Sequence, residues 1–146
     1  MNQQTKNLLI QVSSFLLVSL WIYTAGSKIV GYHEFKTQLA GQWHFRENEH
    51  IAAVLIISSE LIAASLLLFE RTRTTGFEIS FMMMVLFTIY VGMVLFHYFD
   101  KVPCSCGGVL KEMTWEMHFW FNVFFSIVAG LGMFLDDETP NADKAY

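Results

Sequence analysis

Apolar and polar positions in this chain are sorted into long blocks, not into the short periods of a soluble protein. Four blocks are almost wholly apolar: Leu8 to Ala25, Ile51 to Phe69, Ile79 to Phe99 and Met117 to Leu135. Each is about 18 to 21 residues long, close to the ~20 that a helix needs to cross roughly 30 Å of hydrocarbon. A backbone in lipid has no water to bond, so the blocks read as helices. The two-residue alternation that a membrane barrel would require is absent. The pattern therefore predicts an all-α integral membrane four-helix bundle, with spans at about 8–27, 51–69, 77–99 and 116–135 in a single 1–146 domain. The first block is longer than the roughly 7–15 residues of a signal peptide's apolar core, so it is expected to stay as a span.

The polar blocks between the spans differ in kind. From Gly26 to His50, Tyr32, Phe35, Leu39 and Trp43 recur at helical spacing among polar neighbours. That spacing predicts an interfacial amphipathic helix between helices 1 and 2, since tyrosine and tryptophan settle at the membrane boundary. The stretch Glu70 to Gly76 is a short turn. Asp100 to Gly108 carries the only two cysteines, and residues 136–146 read as a polar, acidic tail.

Composition agrees with this division. Of the 146 residues, 54% are hydrophobic and 15% charged, against about 25% charged in a typical soluble domain. The net charge of −4, with no basic patch, gives no footing for nucleic acid. Four spans place both termini on one side. Lys6, Arg71, Arg73 and Lys144 would lie there, and Lys28, Lys36, Arg46, Lys101 and Lys111 opposite. The two arginines in the shortest loop favour cytoplasmic termini, which puts the cysteine loop outside.

Three features could carry chemistry. Pro103-Cys104-Ser105-Cys106-Gly107-Gly108 sets two thiols one residue apart in a turn-prone segment. A disulfide across so small a ring is strained, and strain suits exchange better than stapling. The same pair could instead be free thiols, an inert local disulfide or soft metal ligands. His118 and Asn122 lie four apart on helix 4, one turn beyond Trp115, and so share a face. The histidine could favour a thiolate or shuttle a proton, or could simply bond water at the membrane boundary. Glu60 falls in the middle of helix 2, where a charge costs on the order of 2.5–3.5 kcal/mol on insertion scales. It must face the bundle interior, and its candidate partners are the Ser13 and Ser14 hydroxyls or Lys28 reaching inward along its stem. The run Met82-Met83-Met84 spreads around a helix and reads as packing, not as a copper site.

Several of these residues fall in a familiar order. Tyr23-Thr24-Ala25-Gly26-Ser27-Lys28 closing helix 1 resembles the small-residue, lysine-containing signature of DoxX-like membrane proteins. Phe35 to Leu39, Glu60-Leu61, Leu68-Phe69-Glu70-Arg71-Thr72-Arg73 and Gly76 continue the likeness. The cysteine segment, followed by Trp115, His118, Phe121 and Asn122, resembles the MauE branch of that group. The resemblance spans about residues 15 to 130. It implies a bacterial inner-membrane protein associated with thiol redox work, with the cysteine loop in the periplasm. The MauE branch is linked to maturing a disulfide-rich periplasmic enzyme subunit in methylamine use, but related chains occur where no methylamine enzyme is expected, so that substrate is not carried over. What the resemblance carries over is the thiol pair Cys104 and Cys106, and beside it His118, Glu60 and Lys28.

The expected function is thiol–disulfide exchange between Cys104/Cys106 and a periplasmic thioredoxin-like or disulfide-containing partner. A quinone held in the bundle would be the membrane carrier, although no quinone motif is readable. Two other readings stand beside it: a non-enzymatic subunit that anchors or assembles a larger membrane complex, and a membrane protein handling copper or zinc.

Overall fold

The computed structural model describes residues 2–40, 48–96 and 114–138. Among them are five helices and no strand: α1 (Gln3–Val30), α2 (Tyr32–Ala40), α3 (Glu49–Leu68), α4 (Arg73–Leu95) and α5 (Trp115–Asp137). Four of these are long and apolar enough to cross a membrane. The molecule is an all-α membrane bundle.

The four long helices form a ring in the order α1, α3, α4, α5, with α4 against α5 and α1 against α3 as the largest contacts. Ion pairs show which ends lie together. Lys6 on α1 meets Glu138 just past α5, with Nζ and Oε2 3.2 Å apart. Arg73 Nε at the start of α4 donates to Asp136 Oδ1 at 2.9 Å, and Thr74 Oγ1 donates to Asp136 Oδ2 at 2.6 Å. The start of α1, the α3–α4 turn and the end of α5 therefore share one end, here the terminal end. The other end holds α2, the start of α3, the close of α4 and the start of α5.

Local chemistry explains the breaks. α1 passes into α2 across Gly31, whose N–H still donates to Ser27 O and whose carbonyl accepts from Phe35 N. The α3–α4 turn is closed by Thr72, whose hydroxyl donates to Leu66 O at 2.9 Å. Thr114 caps α5, its side chain accepting from Met117 N at 3.3 Å. The helix between the first two spans is present, but its apolar stripe faces protein. Phe35 and Leu39 are buried in one cluster with Ala25, Ala52, Ala53 and Ile57. Trp43, read from the sequence as part of that stripe, lies outside the described residues.

The bundle is apolar on its outside as well. Phe15, Leu55 and Trp120 are each more than 60% exposed, as suits a surface facing acyl chains. With lipid outside there is little hydrophobic drive between helices, so close packing of small residues has to hold them. Ala25, Ala53 and Ala63 are fully buried. At Gly76 an added Cβ would meet both Leu67 Cγ and Leu67 N at 2.9 Å, so the α3–α4 approach requires glycine. At Gly132 a Cβ would strike the ring of Phe77, which is fully buried and has nowhere to move. Gly132→Ala is expected to destabilise the bundle by about 1–3 kcal/mol through overpacking. Gly26→Ala, where a Cβ meets nothing within 4 Å, is its control and is expected to be neutral or slightly stabilising. Equal midpoints for the two variants in thermal unfolding would contradict this reading of the α4–α5 contact.

Asp136 departs from its sequence reading as the first residue of a polar tail. It lies within α5 and is 4% exposed, held by Arg73 and Thr74. The helix continues past the apolar run because those two partners, distant in sequence, satisfy the carboxylate. Met82 is exposed and Met84 buried, so the methionine run does spread around its helix.

Candidate functional site

The end of the bundle that carries α2 holds a partly open cavity of about 250 Å3. Every helix contributes to its wall: Trp21 and Lys28 from α1, Phe35 from α2, Glu60 from α3, Phe87 and Tyr90 from α4, His118 and Asn122 from α5. Most of the lining is apolar, and the polar groups in it are few.

The central polar feature is a buried ion pair. Lys28 Nζ donates to Glu60 Oε1 at 2.6 Å, and the two side chains are 4% and 1% exposed. Of the partners considered for Glu60, Lys28 is the one bonded to it; Ser14 instead donates to Leu67 O at 2.9 Å. Lys28 begins near the end of α1, but its stem runs along the helix and brings the ammonium to the depth of Glu60. Lys28 also reaches Thr24 O at 3.5 Å, and its ammonium lies 5.7 Å from the centroid of the Phe35 ring. That ring, contributed by α2, offers the lysine a cation–π contact. The Thr24 hydroxyl donates to Trp21 O at 3.2 Å. Glu60 Oε2 has no hydrogen-bond partner among the described residues.

Across the cavity, α5 presents His118 and Asn122, which are 5% and 4% exposed. The shared face expected from their spacing is real, and Trp115 stacks on His118 with centroids 6.2 Å apart and planes 7° from parallel. His118 is thus largely covered by protein. Asn122 Nδ2 is buried without a partner among the described residues, whereas the Asn122 carbonyl accepts from Ser126 Oγ at 2.8 Å.

Trp21 is a member of this site that sequence reasoning passed over. It is 1% exposed, and its Nε1–H donates to Ser80 Oγ at 2.9 Å across the bundle. The structure thus brings together three of the five residues named from sequence: Lys28, Glu60 and His118. Cys104 and Cys106 lie outside the described residues. Among the described residues, no cluster of three or more His, Cys, Asp or Glu could hold a metal ion.

In a comparison with known families, residues 6–135 match the family described as methylamine utilisation protein MauE. The chain belongs to the MauE family. The matched stretch takes in α3, α4, nearly all of α1 and α5, the cysteine segment and every residue of the cavity wall. No curated protein and no solved structure matches the chain. As a MauE-family chain with four membrane-length helices, it is a multi-pass membrane protein.

Proposed function

We propose that this MauE-family protein carries out thiol–disulfide exchange through Cys104 and Cys106 with a periplasmic thioredoxin-like or disulfide-containing protein. The observation that supports this most is one of position. The cysteine segment joins α4 to α5, and both helices meet it at the end of the bundle where Lys28, Glu60 and His118 line one cavity. A thiol pair is thereby tethered to the part of the membrane domain that invests in buried polar groups.

The chemistry balances within the pair and its partner. One thiolate attacks the partner's disulfide, forming a mixed disulfide and expelling a partner thiolate. The second thiolate then attacks the mixed disulfide and releases the partner's other sulfur. Cys104 and Cys106 lose two electrons and two protons, and the partner's disulfide becomes two thiols. Run backwards, the same steps oxidise the partner. His118 is the better candidate for favouring a thiolate, because the charge of Lys28 is already matched by Glu60 at 2.6 Å. The loop faces the periplasm and both termini the cytoplasm in this proposal, since Arg71 and Arg73 share the terminal end.

Single-cysteine variants, Cys104→Ser and Cys106→Ser, are expected to trap a mixed disulfide that disappears on reduction, and the double variant to trap none. The double variant should also lose all exchange while remaining in the membrane at the parental level. Full function without either cysteine would show that the protein acts as an anchoring subunit. Labelling of the thiols by an impermeant maleimide in intact cells is expected after reduction, and labelling only after permeabilisation would reverse the topology.

A further inference from the structure

The cavity described above is more than a gap between helices. A dry apolar hole of roughly 150 Å3 already accommodates a benzene ring, and this one measures about 250 Å3. It therefore has room for a substituted or fused ring. Its walls suit one, with Trp21, Phe87, Tyr90 and Phe121 facing it. Trp21 and Phe87 stand with centroids 6.3 Å apart and planes tilted by 55°, a geometry that receives a further ring edge-on or offset.

Two buried polar atoms, on residues of α3 and α5 that line the cavity from different sides, ask for complementary partners. Asn122 Nδ2 can only donate and Glu60 Oε2, on the carboxylate, can only accept; neither is paired among the described residues. The neighbouring groups are engaged elsewhere: Lys28 with Glu60 Oε1, and the Thr24 hydroxyl with Trp21 O. An acyl chain would fill the volume and leave both atoms unpaired. Water would pair them and leave the apolar walls wet. A hydroxyl on a ring can accept from the Asn122 amide while the ring meets the aromatic walls.

We propose that this cavity binds a small hydroxy-aromatic molecule, its hydroxyl accepting from Asn122 Nδ2 and its ring packed against Trp21, Phe87 and Phe121. The hydroquinone head of a membrane quinol and a water-borne phenol share this chemistry. The site stands whether or not Cys104 and Cys106 exchange, because none of its contacts involves a thiol.

The test uses the full chain in lipid nanodiscs, titrated with 2-naphthol and with 2-methylnaphthalene, which differ in the hydroxyl and little in bulk. Binding is read from tryptophan quenching and from the rise in thermal midpoint. 2-Naphthol is expected to bind at least tenfold tighter, since a site that leaves buried polar groups unpaired rejects the analogue lacking the hydroxyl. Equal affinities, or no binding of either, overturn the proposal on the parental protein alone. Asn122→Leu, which removes a donor that has no partner to lose, is expected to abolish the preference. A preference that survives in that variant places the binding elsewhere and also overturns the proposal. The source is told by extracting the protein with its native lipids: a quinol retained at about one per chain, and lost with Asn122→Leu, identifies a membrane ligand. A preference for 2-naphthol with no retained quinol identifies a soluble phenol.

Discussion

Glu60→Leu is expected to destabilise the protein by roughly 3–5 kcal/mol, the usual cost of removing one partner from a buried ion pair. The loss follows from what remains. Lys28 is 4% exposed, lies against Thr24 O and the Phe35 ring, and would keep an ammonium in the bundle with no counter-charge. Lys28→Met should cost a similar amount by stranding the carboxylate of Glu60. The double variant, Lys28→Met with Glu60→Leu, is expected to recover most of the stability, because two apolar side chains of similar bulk replace two charges that both had to leave water. Reversible unfolding of the four proteins in mixed micelles closes the thermodynamic cycle. A double variant as unstable as the sum of the singles would mean that the 2.6 Å contact contributes no coupling.

Trp21→Ala carries the second large effect, also about 3–5 kcal/mol. In water such a cost would combine hydrophobic transfer with a cavity term. In a lipid-embedded bundle the transfer contribution is small, so the loss is mainly of packing. Trp21 is 1% exposed and belongs to the cluster with Leu17, Phe77 and Met84. Ser80, itself fully buried, would also lose the indole N–H that donates to it at 2.9 Å. Trp21→Phe separates the two contributions, since it keeps much of the ring and removes the donor, and is expected to cost about 1 kcal/mol. Thermal midpoints in one detergent would decide; a Trp21→Ala midpoint within a degree or two of the parent would refute the central packing role assigned to this residue.

Both predictions rest on residues whose surroundings were only partly legible. The acid in the middle of the second span announced that it must turn inward, because its desolvation cost acts wherever that helix is placed. Which group would meet it was open between the Ser13–Ser14 pair and Lys28. Helical spacing put His118 and Asn122 on one face, yet could not tell whether that face met lipid, water or protein. Asp136 read as solvated because the apolar run stops before it, and Trp21 drew no attention among so many aromatic residues. In each case the missing information was the identity of a neighbour on another helix.

The sequence by itself determined that this protein is an all-α membrane bundle with four spans and a short helix between the first two. Those features depend on the length and apolarity of single segments, and hydrocarbon imposes the same demands on each segment separately. Only the tertiary structure decided that Lys28 answers Glu60, that Arg73 and Thr74 bury Asp136, and that Trp21, Glu60, His118 and Asn122 line one cavity. These outcomes follow from the ring order α1, α3, α4, α5 and from how closely Gly76 and Gly132 let the helices approach. Helix neighbours and their separation are set by packing across the whole bundle, and no periodicity within one span encodes them.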